Sequence, residues 1–156
     1  MIDIAKIQQA ILLTQQGKIQ EAKNIYENML KTNPNDPNLL SVFGLFYVNI
    51  GAYSKASDIL KKAANMKPSF GTLSALGIAE LECGNFEDAA IYLEKSIELG
   101  QNPDIYNKLI LCLFEIQSYK KAVEFANKMY DFVPRSIKPR SQQDKVQQYD
   151  ALVMFL

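Results

Sequence analysis

Side chains able to do chemistry are sparse in this sequence, and their spacing argues against a catalytic or metal centre. There are two cysteines, Cys83 and Cys112, and no histidine. Without an imidazole, no serine or cysteine triad of the usual kind can be assembled, and the commonest general base at neutral pH is missing. Two distant cysteines form neither a CxxC redox pair nor a zinc site, so both are expected to be core thiols. Gly71, Gly77 and Gly84 do not make a phosphate loop, because no GK[ST] follows them and the first two fall within an expected helix. They read as packing and cap glycines. Glu87 and Asp88 are neighbours on an expected helix and point in different directions, which suits a solvated surface better than a carboxylate pair. The expectation is a non-enzymatic protein with no cofactor and no metal.

Charge narrows the partners. The 17 basic and 17 acidic side chains cancel, which gives no general attraction to nucleic acid or to an anionic membrane. They are unevenly spread: residues 1–70 carry 8 basic and 5 acidic groups, residues 71–116 carry 2 and 8, and residues 117–156 carry 7 and 4. The middle is an acidic band, expected to be a solvated face, with a docking site for a basic partner as the alternative reading. No apolar run approaches the ~20 residues that span a bilayer, and residues 1–16 lack the pattern of a signal peptide. No membrane insertion and a cytoplasmic location are expected. At 156 residues and 48% apolar, the chain can bury a substantial core.

The elements that carry these residues are helices. Ile4, Ile7, Ala10, Ile11 and Leu13 recur at helical spacing after a cap at Asp3, and Gly17 ends that run. A partner helix follows from about Ile19 to Lys31, with Ala22, Tyr26 and Met29 inward and Pro34 closing it. The clearest unit is 37–70, where Leu40, Phe43, Gly44 and Tyr47 precede Gly51, Tyr53, Ala56, Leu60, Ala63 and Pro68. Its signals return in Leu73, Leu76, Gly77, Gly84, Phe86, Ala89 and Leu93, and more weakly in Tyr106, Leu109, Leu113, Tyr119, Ala122 and Met129. The small residues Ala22, Ala56, Ala89 and Ala122 are spaced 34, 33 and 33 residues apart.

This order and period resemble the tetratricopeptide repeat (TPR) family. The resemblance implies an all-α, right-handed TPR superhelix of about four helix-turn-helix repeats, 3–36, 37–69, 70–102 and 103–136, making one TPR domain over 1–136. Residues 137–156 are expected to be a linker and a C-terminal capping helix, with Val146, Tyr149, Val153 and Leu156 forming an apolar stripe. That helix could also support a homodimer. Three departures from the pattern carry expectations. Glu80 stands where repeat 2 has Tyr47 and is expected to be exposed, since unpaired buried charge is costly. Ile110 replaces the small Gly44-type residue, which should hold that helix pair further apart. Gln117 replaces the glycine between helices.

By family analogy, the first helices of the repeats line a concave groove. The residues so placed are Ile4, Ile7, Ile11 and Thr14, then Asn38, Ser41, Leu45 and Val48, then Ser74, Ile78 and Leu81, then Asn107, Leu111 and Phe114. Most are apolar. The lysine, arginine and asparagine clamp with which some TPR proteins hold a chaperone's C-terminal carboxylate is absent: Ile7, Ile11, Val42, Gly71 and Ala75 stand at the matching positions. The resemblance implies a protein–protein interaction module that binds a peptide or amphipathic helix of another protein. Two further readings are an export chaperone of the secretion type and the recruiting arm of a larger enzyme such as a glycosyltransferase.

Overall fold

The structure is a computed structural model that describes residues 3–131, and over that span it contains eight helices. They pair as A and B helices of four repeats: α1 (Ile4–Gln15) with α2 (Ile19–Thr32), α3 (Pro37–Asn49) with α4 (Tyr53–Met66), α5 (Phe70–Glu82) with α6 (Phe86–Leu99), and α7 (Pro103–Glu115) with α8 (Tyr119–Tyr130). Each B helix also packs on the A helix of the next repeat, so the pairs stack into a solenoid. The linker and C-terminal helix expected at 137–156, with any homodimer built on them, lie outside the described residues.

The two ends of each A helix are set by different devices. Asp3, Asp36, Ser69 and Asn102 are the A-helix N-caps, and each side chain accepts a hydrogen bond from a backbone N–H of the first turn. Pro37 and Pro103 open two of these helices, where the missing N–H costs nothing. At the other end the chain turns sharply into the B helix. The N–H of Lys18, Ala52, Asn85 and Ser118 donates to the carbonyl five residues back, at 2.9, 2.9, 2.9 and 2.7 Å. This is the Schellman closure, which needs a left-handed residue just before the donor. Gly17, Gly51 and Gly84 supply it with φ of 75, 73 and 79°, and Gln117 adopts the same conformation at φ 59°. The geometry is thus kept in repeat 4 at a conformational cost that glycine would not incur.

Each helix pair crosses closely because one side is small. Ala22, Ala56, Ala89 and Ala122 are all fully buried on the B helices. On the A helices, a Cβ at Gly44 would collide with Leu60, and one at Gly77 would lie 2.5 Å from Leu93 Cγ. The repeat register extends this pairing to Ala10 with Tyr26 and to Ile110 with Ala126, all four buried. Repeat 4 therefore reverses the usual assignment, with the large residue on the A helix and the small one on the B helix. The α7–α8 pair packs less closely than α3–α4 and α5–α6, in line with the expectation from Ile110, even though Ala126 stands where Leu60 and Leu93 stand in the preceding repeats.

The cysteine expectation holds for one residue only. Cys112 is buried and its thiol is pushed up to about 11 by desolvation, so it is no nucleophile at neutral pH. Cys83, the residue that ends α5, is exposed because it falls beyond the last turn that packs on α6.

The crossing geometry yields a paired expectation. Ile110→Ala opens a void and should destabilise by about 2–5 kcal/mol, and Ala126→Leu overfills the crossing at a cost of about 1–3 kcal/mol. The double variant restores the small-on-A, large-on-B arrangement and should be at least ~0.5 kcal/mol more stable than the sum of the two losses. Urea unfolding of the four proteins measures this. Gln117→Gly should raise stability by about 0.5–1 kcal/mol in the same assay, the relief of left-handed strain less the added chain entropy.

Candidate functional site

The groove-facing sides of the four A helices line up position by position. The position occupied by Ile11 in α1 is Leu45 in α3, Ile78 in α5 and Leu111 in α7. All four are aliphatic and none is buried: Ile11 and Leu45 are 45% and 37% exposed, and Ile78 and Leu111 are half-buried. Thr14, Val48, Leu81 and Phe114 form a second row, also half-buried. At the N-terminal end of the groove, Ile4 is exposed beside the capped start of α1, and Asn38 is exposed at the start of α3.

The third row is less available. Ile7 and Ser41 are half-buried and Asn107 is exposed, but Ser74 is buried, with its hydroxyl donating to the carbonyls of Phe70 at 2.7 Å and Gly71 at 3.3 Å. Ser41 and Thr72 share a 2.8 Å hydroxyl contact that joins α3 to α5. The hydroxyl of Thr14 likewise donates to the Ala10 carbonyl at 2.8 Å. These hydroxyls are engaged within the array, which leaves the groove surface more apolar than its composition suggests.

Between α1 and α3 the groove deepens into a cavity of about 600 Å³. It is lined by Ile7, Ile11 and Thr14 of α1 and Leu45 of α3, all placed in the groove by sequence, together with Gln15, Tyr26, Val42, Phe46 and Asn49. Its origin is steric. α3 packs on α5 and α5 on α7, whereas α1 makes no comparable contact with α3 and reaches repeat 2 through α2. The residues that occupy one register position explain the difference: Ala79 in α5 and Cys112 in α7 are small, but α3 has Phe46. Phe46 lies 5.3 Å, ring centre to ring centre, from Tyr26 of α2 and is buried with Phe43 and Tyr47. This aromatic group holds the first A helix away and leaves the gap that becomes the cavity. Comparing positions 46, 79 and 112 would have shown it in the sequence.

Glu80 departs from its expectation. It is 1% exposed, and its carboxylate accepts from Ser57 Oγ at 2.5 Å and Asn85 Nδ2 at 2.6 Å while pairing with Lys61 Nζ at 2.6 Å. Ser57 and Lys61 are one turn apart on α4, so the cluster ties repeat 2 to repeat 3 beneath the groove. Burial pushes the Glu80 carboxyl up, but hydrogen bonds from Lys61, Ser57 and Asn85 outweigh it and hold the value below the usual range. The same contact raises Lys61, chiefly through its hydrogen bond to Glu80. Burial here is tolerated because both carboxylate oxygens have donors and one donor is a cation.

No group of three or more potential metal ligands occurs among the described residues, and no described helix is long and apolar enough to cross a membrane. What remains is a stacked-helix scaffold with an apolar groove. A tetratricopeptide repeat family model matches residues 13–76, from the end of α1 into α5, and identifies this stretch as tetratricopeptide repeat sequence. Two crystal structures of MamA superpose on the chain with TM-scores of 0.75, one at 26% identity over 86% of this chain and 77% of that chain, the other at 25% over 82% and 71%. MamA 41-end from Desulfovibrio magneticus RS-1 shares the fold at a TM-score of 0.71, with 21% identity over 81% of this chain and 72% of its own. The described residues thus have the all-helical fold of a tetratricopeptide-repeat superhelix. Among curated sequences, BBSome complex member BBS4 of Bos taurus is 24% identical over 123 residues, 78% of this chain; the match spans 24% of that relative's length.

The Glu80 cluster has a pH signature. Its folded-state value lies below that of the unfolded chain, so its contribution is complete above about pH 4.3 and fades as pH falls through the lower folded value. Glu80→Gln should therefore cost about 1–3 kcal/mol at pH 7, with the gap to the parent protein closing toward pH 3, as read by urea unfolding across that range.

Proposed function

We propose that this chain is a non-enzymatic adaptor that holds a peptide or amphipathic helix of another protein in its apolar groove. The observation that carries the reading is the cavity between α1 and α3, which opens onto the aliphatic row Ile11, Leu45, Ile78 and Leu111. An amphipathic helix presents side chains at i, i+3, i+4 and i+7, and such a row with a pocket at one end fits that display. The cavity is comparable to sites that accept a few large side chains, and its walls are aliphatic and aromatic with amides from Gln15 and Asn49. The bovine relative is a member of a complex, which supports the adaptor reading.

Leu45 belongs to neither apolar core cluster, and Ile78 is only half-buried against one of them, which separates binding from folding at these two positions. Leu45→Lys or Ile78→Lys should weaken binding of a synthetic leucine-rich amphipathic helix by more than about tenfold, because a buried, unpaired ammonium is costly. Far-UV circular dichroism should remain close to that of the parent. Unchanged affinity by fluorescence polarisation, or equal loss of helicity in these variants and in Ala89→Leu, overturns the assignment.

A further inference from the structure

The groove differs in charge along its length. At the groove-facing position in the last turn of each A helix, repeats 1 and 2 carry the amides Gln15 and Asn49, whereas repeats 3 and 4 carry Glu82 and Glu115, both exposed. Asp104, in the first turn of α7, adds an exposed carboxylate to the same end, and Lys108 of α7 is the half-buried cation beside them. The cavity at the opposite end has no charged side chain in its lining. The aliphatic row runs between the two ends, so an occupant of that row meets a neutral apolar end and an anionic end. Glu80 takes no part, because Ser57, Asn85 and Lys61 already satisfy it below the surface.

Resting on the groove reading above, we propose that the occupant is an amphipathic segment with a cationic end. Its apolar stripe lies along the aliphatic row, its lysines or arginines lie over Glu82 and Glu115, and its uncharged apolar end fills the cavity between α1 and α3. Both ends select the same placement. A cation carried into the cavity would lose hydration with no counter-charge, and an anionic segment over Glu82 and Glu115 would meet like charge. Exposed pairs of this kind contribute modestly, so they set direction and partner choice while apolar burial supplies the affinity.

Fluorescence polarisation on the full chain at low salt tests this, using synthetic amphipathic helices with three lysines at either the N- or the C-terminal end, and counterparts with glutamates in their place. The better lysine peptide should bind roughly fivefold or more tightly than its glutamate counterpart, with the difference shrinking at high salt. Glu82→Lys with Glu115→Lys should reverse the preference, and a benzophenone on the uncharged end should cross-link to α1 or α3. If lysine and glutamate peptides bind equally and the charge reversal changes nothing, the cationic-end proposal falls while the apolar groove stands. If neither peptide binds, or Leu45→Lys leaves binding intact, the groove reading falls and this proposal with it.

Discussion

Everything in this array depends on how much volume each A–B helix crossing can hold. One side of the crossing must be small, and the chain meets this with Ala10 opposite Tyr26, Gly44 opposite Leu60, Gly77 opposite Leu93 and Ala126 opposite Ile110, all buried. A close crossing consumes one side of each helix. The sides that remain are fixed in direction, one toward the neighbouring repeat and one toward the groove. Because the four crossings recur every 33 or 34 residues, the leftover sides come into line, and an aliphatic row forms of which only Ile78 packs against a core cluster.

The junctions between repeats are less uniform than the crossings within them. Repeats 2 and 3 are joined by a shared hydroxyl contact and by the buried Glu80 cluster, both directional and both satisfied. Repeats 3 and 4 meet through an apolar cluster that includes Ile97, Ile105 and Cys112. Repeats 1 and 2 meet around stacked aromatics, with Tyr26 between α2 and the Phe43–Phe46–Tyr47 group of α3. A polar junction tolerates little change in relative angle, since a carboxylate stripped of one donor in a dry site is expensive. Curvature in the middle of the groove is therefore held more tightly than at its N-terminal end.

Helix boundaries, caps and the repeat period were legible because each is written in local residues: Asp3, Asp36, Ser69 and Asn102 at the starts, glycines at three of the four turns. Burial of Glu80 was not, because two of its three partners, Ser57 and Lys61, come from another repeat. A carboxylate judged alone looks too costly to bury, and only the register that brings Ser57 and Lys61 beneath it removes the cost. The engaged state of Ser74 has a local origin instead, its hydroxyl being taken up by carbonyls of its own helix. Cys83 was assigned inward from its chemistry, when its place past the last packed turn of α5 decides its exposure. The cavity has a signal in the sequence only when repeats are compared, since Phe46 stands at the position held by Ala79 and Cys112.

The single large side chain at position 46 also affects how the array comes apart. In a stack where each unit touches only its neighbours, resistance to peeling is set interface by interface. The first unit is attached through α2 alone, with α1 standing off behind the aromatic spacer, so its edge carries less adhesive surface than any internal seam. Local opening is therefore expected to begin at that edge. The cavity between α1 and α3 is then walled on one side by a sparsely anchored helix, a jaw set against a fixed anvil.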